Sequence, residues 1–170
     1  MTARGALLAV MLLGSLAVIG PFSRPAPVLL WNASGSAPFG LYRVHSANRI
    51  DDGDLVVVRP PDALARFLAV RGYLPDGVPL LKHVAGRAGQ SVCREGNVVA
   101  VDGNEVALAQ ASDRRGRSLP VWSGCRTLAV NEIILLNLGA SDSLDSRYFG
   151  PLSTSTIVGL AQPLWIRSGS

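Results

Sequence analysis

Short apolar segments broken by turn residues fill most of the chain, and one long uncharged run stands at its start. Residues 41–45 alternate apolar and polar, the period-two pattern of a half-buried strand. Asp51-Asp52-Gly53 forms a turn, and Leu55-Val56-Val57-Val58 behind it is a β-branched run of the kind that fills a buried strand. The same reading predicts strands over 79–84, 98–101, 105–109, 127–130, 132–137 and 156–163, with Asp102-Gly103-Asn104 as a hairpin turn. Residues 61–70 give a helix: Pro at the start, Leu64, Phe67 and Leu68 on one face, and Gly72 to stop it. Residues 28–31 are a short apolar run. It ends in Asn32-Ala33-Ser34-Gly35-Ser36-Ala37-Pro38, whose small, turn-forming residues predict a tight, exposed backbone. Residues 113–117 read as a polar, mobile loop. The expected class is mainly β.

The uncharged run covers residues 5–22, with Arg4 before it and Arg24 after it. A membrane-spanning helix takes about twenty predominantly apolar residues, so the run is just long enough to cross. A cleaved secretory signal peptide is the alternative, but no small-x-small cleavage site follows, and Pro21, Pro25 and Pro27 read as a rigid exit. Arg4 favours the cytoplasmic side for the amino terminus. The expected organisation is a membrane anchor over 1–24 and an exported domain over 25–170.

Composition narrows the partners. Of 170 residues, 48% are hydrophobic and 16% charged, too apolar for a disordered chain. The net charge is +4, yet the basic residues form no stripe (Arg114, Arg115 and Arg117 are the densest run), and aromatics are only 6%. No nucleic-acid partner is expected on that basis. Repeats, a GxGxxG and a P-loop are absent, so nucleotide chemistry has no foothold. With two histidines and with Cys93 and Cys125 in no CxxC or Cys/His cluster, neither a metal nor another cofactor is expected. In an oxidising compartment the two cysteines could bridge; two buried free thiols are the alternative.

Fifteen of the sixteen basic residues are Arg, and the exception is Lys82. It sits between Leu80-Leu81 and Val84-Ala85-Gly86, in an apolar strand. Burial there disfavours the ammonium and lowers its pKa, and a neutral amine could take a proton from a serine hydroxyl. Arginine could not do so, because it does not deprotonate in proteins. The plainer alternative is a strand lysine whose head reaches water. Ser36, between Gly35 and Ala37-Pro38, is the matching nucleophile candidate. Ser34 could add a hydroxyl beside the Ser36 N–H as an oxyanion donor. An ordinary Ser/Gly loop is the alternative there. His45 and His83 lie in no motif, and His83 should face away from Lys82.

Taken together, four blocks resemble, in order, the type I signal peptidase family of Ser/Lys proteases. Ser34-Gly35-Ser36-Ala37-Pro38 is similar to the family's Ser-x-Ser-Met-x-Pro box, although Ala37 stands where Met is usual. Gly53 to Val58 is similar to its conserved strand, and Lys82-His83-Val84-Ala85-Gly86 to its lysine box. Asp145-Ser146-Arg147-Tyr148-Phe149-Gly150 is similar to its Asp-Ser-Arg-Tyr-x-Gly box. Ser-x-Ser-x-Pro-x-Gly-Leu-Tyr, one span and a cysteine pair resemble the TraF-type conjugative transfer members. At 170 residues the chain leaves no room for the large accessory β-domain of housekeeping members.

The resemblance implies a signal-peptidase-like coiled β-sheet catalytic domain with one N-terminal transmembrane helix, in the bacterial inner membrane and facing the periplasm. It implies Ser36 as nucleophile, Lys82 as general base, and the Ser34 hydroxyl with the Ser36 N–H as oxyanion donors. Ser143 would orient the lysine, and Asp145 and Arg147 would form a supporting ion pair. The implied partners are a pilin or other exported precursor polypeptide, the inner membrane, and conjugative pilus or type IV secretion components. A general leader peptidase and a catalytically silent scaffold of a pilus or secretion assembly are the alternatives.

Overall fold

The strand-and-turn pattern resolves into two antiparallel sheets in the computed structural model, which describes residues 28–46 and 48–167. The strands are β1 (Leu29–Asn32), β2 (Gly40–His45), β3 (Leu55–Val58), β4 (Leu80–Gly86), β5 (Ser91–Glu95), β6 (Val98–Val101), β7 (Asn104–Leu108), β8 (Gly124–Thr127), β9 (Glu132–Leu136), β10 (Leu152–Ser153) and β11 (Ile157–Ile166). Among the described residues two α-helices, α1 (Asp62–Val70) and the single turn α2 (Ser146–Phe149), and a 3-10 turn at Thr154–Thr156 accompany the strands. The larger sheet runs β1-β2-β11-β3-β4-β9-β10, and the smaller β7-β6-β5-β8. Among the described residues no helix is long and apolar enough to cross a membrane. The run over 5–22 expected to be an anchor, and the boundary at 24, lie outside the described residues.

The unbroken apolar run of β3 follows from its position. It lies inside the larger sheet and is covered on both faces, so Val56, Val57 and Val58 are all fully buried. Val57 joins Tyr42, Val44, Leu81 and Ala161 on one face, while Val56 and Val58 join Val84, Ile133 and Leu135 on the other. β9 is the seam between the sheets. Its Ile133 and Leu135 pack on that second group, whereas Ile134 and Leu136 pack on Val92 and Val101 of the smaller sheet. Burying each such side chain contributes about 1.5–3 kcal/mol. β2 and β11 approach so closely that a Cβ on Gly40 would stand 2.1 Å from the Trp165 carbonyl oxygen. Only glycine fits there.

Several boundaries differ from expectation. The strand placed at 127–130 lies at Gly124–Thr127, where it pairs with β5; Leu128 turns inward, and Val130 is fully out in solvent. As an edge strand exposed at every position, β8 has no apolar alternation to read. β5 was not predicted, because its inward positions are Val92 and a buried arginine, Arg94. The hairpin over Asp102-Gly103 forms as expected, with φ of 50° and 78°, the left-handed pair a type I′ turn needs. The loop expected to be mobile at 113–117 is instead tied down. Asp113 accepts from the backbone N–H of Arg115 and Arg117, from the Arg117 side chain at 2.7 Å and from the Tyr73 hydroxyl at 2.5 Å. The Tyr73 hydrogen bond leads the set in holding the Asp113 carboxyl well below the usual carboxylate range.

Candidate active site

Strand alternation places Lys82 and His83 in different surroundings. Lys82, opposite Val56 of β3, is 3% exposed. Half-buried His83 instead meets the Asn137 Oδ1 atom at 3.2 Å through its Nδ1. The Lys82 Nζ donates to Ser143 Oγ at 2.6 Å. Burial lowers its pKa to about 8; Asp145 pulls the value up against that, and Arg147 pushes it down. An amine of this kind is partly neutral near physiological pH, which a solvated lysine is not.

The loop that carries Ser143 rests on a buried ion pair. Arg147 meets both carboxylate oxygens of Asp145, Nε at 2.8 Å and Nη2 at 3.0 Å, with both side chains almost fully buried. Its three remaining protons go to backbone carbonyls, Asn137 and Ser141 at 3.1 Å each and Leu108 at 3.4 Å. Asp145 also accepts from the backbone N–H of Asn137 and of Arg147, both at 3.1 Å. The pair therefore acts as a clamp. It fixes the chain on either side of Ser143, and with it the acceptor that holds Lys82.

The serine loop is organised by Asn32, at the end of β1. Its Nδ2 donates to the carbonyls of Ser34, Ala37 and Pro38, and its Oδ1 accepts from the Ser34 N–H and, at 2.7 Å, from the Ser34 hydroxyl. The Tyr42 hydroxyl adds a 2.7 Å bond to the Pro38 carbonyl. Ser34 Oγ and Ser36 Oγ stand 3.3 Å apart. One hydroxyl has one proton, and that of Ser34 goes to Asn32, so Ser36 is the donor between them. Ser36 and Lys82 share no hydrogen bond in this state.

Ser34, Ser36, Lys82 and Ser143 nevertheless line one open cleft of about 600 Å³. The structure thus brings the two serine-loop candidates to the lysine and its acceptor, with Asp145 and Arg147 behind them. His45 lies exposed at the end of β2, away from the cleft. Among the described residues no three His, Cys, Asp or Glu side chains gather where they could hold a metal ion.

A family model described as signal peptidase, peptidase S26 matches residues 2–166. The chain belongs to that family. Its match spans every element that carries the cleft. Among named relatives, it is 35% identical over 144 residues to the conjugal transfer protein TraF of Agrobacterium fabrum, covering 79% of this chain and 80% of that one. It is 38% identical over 139 residues to the probable conjugal transfer protein TraF of Sinorhizobium fredii, covering 77% and 73%. A plasmid transfer protein TraF of Escherichia coli is 31% identical over 143 residues, covering 78% and 80%. Among solved structures, a signal peptidase I from Enterococcus faecalis V583 superposes with a TM-score of 0.41 at 15% identity, covering 68% of this chain and 98% of that one.

Two residues of this site escape a reading of the sequence. Asn32 reads as one more turn residue, and Asn137 as the polar end of a strand. In the fold, the Asn137 amide bridges β9 to β4 through the Leu81 carbonyl at 3.0 Å, directly beside Lys82. An asparagine closing an apolar strand on each side of the cleft is the one signal that could have pointed to them.

Proposed function

We propose that the chain is a membrane-anchored serine endopeptidase that matures an exported precursor, a conjugative pilin subunit, with Ser36 as nucleophile and Lys82 as general base. The observation that carries this reading is the buried Lys82 amine, lowered to about 8 and facing the same cleft as Ser36. Its relatives' names point to conjugation, and the uncharged run over 5–22 supplies the anchor, with the catalytic domain on the periplasmic face.

In the reaction the Ser36 hydroxyl turns from Ser34 to Lys82. Its Oγ attacks the scissile carbonyl carbon while the neutral amine takes the proton. The oxyanion is held by the Ser36 N–H and by the Ser34 hydroxyl once it releases Asn32. Collapse breaks the C–N bond, and the lysine ammonium returns its proton to the leaving amine. Water then attacks the Ser36 ester, losing a proton to Lys82; the bond from the carbonyl carbon to Ser36 Oγ breaks, the ammonium returns that proton to Ser36 Oγ, and the acid is released. An amine attacking in place of water would instead form a new peptide bond, and a pilin's own amino terminus would close a ring.

Intact-mass spectrometry of the pilin, from cells carrying the wild type or Ser36→Ala, tests the proposal. The expected result is a longer precursor that persists only in the variant, with a wild-type product one water lighter than the trimmed chain if rings close. Identical masses in both strains would overturn it. Build-up of many unrelated precursors would favour a general leader peptidase.

A further inference from the structure

A second cavity, of about 230 Å³, adjoins the cleft. Tyr73, Arg114, Asp142 and Leu144 line both, so the Arg114–Asp142 ion pair forms the polar part of the wall between them. Asp142 is the neighbour of Ser143, and Arg114 belongs to the loop tied down by Asp113. Four arginines, Arg71, Arg114, Arg115 and Arg117, line the second cavity.

Their charges are not equally committed. Arg117 is neutralised by Asp113, and Arg71 lies over the Phe67 ring and donates to the Ser118 carbonyl. The Arg115 side chain makes no hydrogen bond or ion pair among the described residues. Arg114 has only Asp142, in a pair where its own side chain is 85% exposed. A pair so exposed is held weakly and exchanges readily. Where the cleft meets the second cavity there are therefore two guanidinium groups with capacity to spare, Arg114 on the shared wall and Arg115 in the second cavity, on a loop whose backbone is tied down.

We propose that Arg114 and Arg115 form a carboxylate-binding subsite for the substrate chain, opened when the substrate's carboxylate takes Arg114 from Asp142. This rests on the peptidase reading above. A guanidinium binds a carboxylate through two parallel N–H donors, so the subsite selects a substrate with a negative group at a fixed distance from the scissile bond. The carboxylate is that of an acidic side chain or of the chain terminus.

The test uses the full-length Ser36→Ala chain in detergent and fluorescein-labelled alanine-rich decapeptides carrying one Asp or one Asn at each position in turn. One set is amidated at the carboxyl end; an all-alanine peptide with a free carboxyl end separates the terminal source from the side-chain source. Fluorescence polarisation should show Asp bound roughly five- to tenfold tighter than Asn over one short stretch, or the free terminus favoured over its amide by as much. That ratio should fall to near one in Arg114→Ala/Arg115→Ala and rise in Asp142→Asn, which frees Arg114. A structural role for the ion pair would move both variants the same way. Equal binding throughout, or a preference that survives loss of both arginines, would overturn the subsite. The peptidase reading is judged separately, by whether the protein with Ser36 intact cleaves the same peptides. Preference without cleavage sinks only that reading, and cleavage without preference sinks only the subsite.

Discussion

Lys82 shows how far one side chain can carry both function and cost. In the proposed reaction its amine must be neutral to accept a proton, so kcat/KM should climb as pH rises through about 8 and then level off, well below the range of a solvated lysine. Lys82→Arg should lower kcat by about 10²–10⁴, since a guanidinium stays charged. Ser143→Ala should cost about 10²-fold through loss of positioning. It should also move the pH limb downward, because the Ser143 oxygen accepts from the ammonium and so favours the charged form. A change that merely loosened the fold would let water reach the amine and move that limb the other way, upward. Stability follows the opposite side of the same equilibrium. Between about 8 and the ordinary lysine value of 10.5 the unfolded chain binds the extra proton, so the native state gains stability as pH rises across that window. Lys82→Met should therefore be more stable than the wild type at pH 7, by about 3 kcal/mol more than at pH 11, in thermal unfolding curves. The sequence exposes this residue because it is the one lysine among sixteen basic positions, set in an apolar strand. Ser36 is far less legible alone, since small turn residues surround it; order with three other blocks singles it out. Asn32 and Asn137 stay hidden because their work is to bond carbonyls that only the fold assembles.

Strands reveal themselves in proportion to how one-sided their burial is. β2 and β3 read clearly, one alternating and one buried on both faces. β5 hides because Arg94 occupies an inward position, its Nη1 donating to the Arg147 carbonyl at 2.6 Å. β8 hides because nothing in it is buried, and its place depends on its partner. That partner holds it covalently: Cys93 and Cys125 face each other in register and are bridged across a separation of 32 residues. Closing a loop of that length stabilises by about 3–4 kcal/mol in the chain-entropy model. Cys93→Ser/Cys125→Ser should lose about that much in denaturant unfolding. Hydrogen exchange should speed up first along β8, the exposed edge, and only weakly along β4 and β9. An equal rise in all three would mean that the bridge supports the whole fold rather than its edge. The loop at 113–117 carries a related lesson. Charge density made it look mobile, whereas one carboxylate collecting four donors makes it rigid, and no local pattern announces that.

At the scale of the molecule, the cleft that holds Ser36 and Lys82 depends on a joint between the two sheets. β9 supplies the apolar half of that joint, and the Asp145–Arg147 pair with Arg94 supplies the polar half. Arg94 reaches from the smaller sheet to the Arg147 carbonyl, while Arg147 holds the chain around Ser143 on the larger one. Removing one partner of a buried pair strands the other without its counter-charge and typically costs about 3–5 kcal/mol. Arg147→Ala leaves the Asp145 carboxylate with only two backbone N–H donors, and Asp145→Ala leaves a buried cation facing carbonyls. Each single variant should lose stability in that range. Asp145→Leu/Arg147→Met fills similar volume with no stranded charge, so it should lose less than the two singles added together. Activity should not recover in parallel. The double variant restores packing but not the bonds from Arg147 to the Asn137 and Ser141 carbonyls, so Ser143 is no longer held against Lys82. Stability rescued by the double substitution with turnover still depressed is the expected result, read from thermal unfolding beside kcat. Turnover returning together with stability would show that the pair supports the fold and contributes nothing to the placement of the lysine.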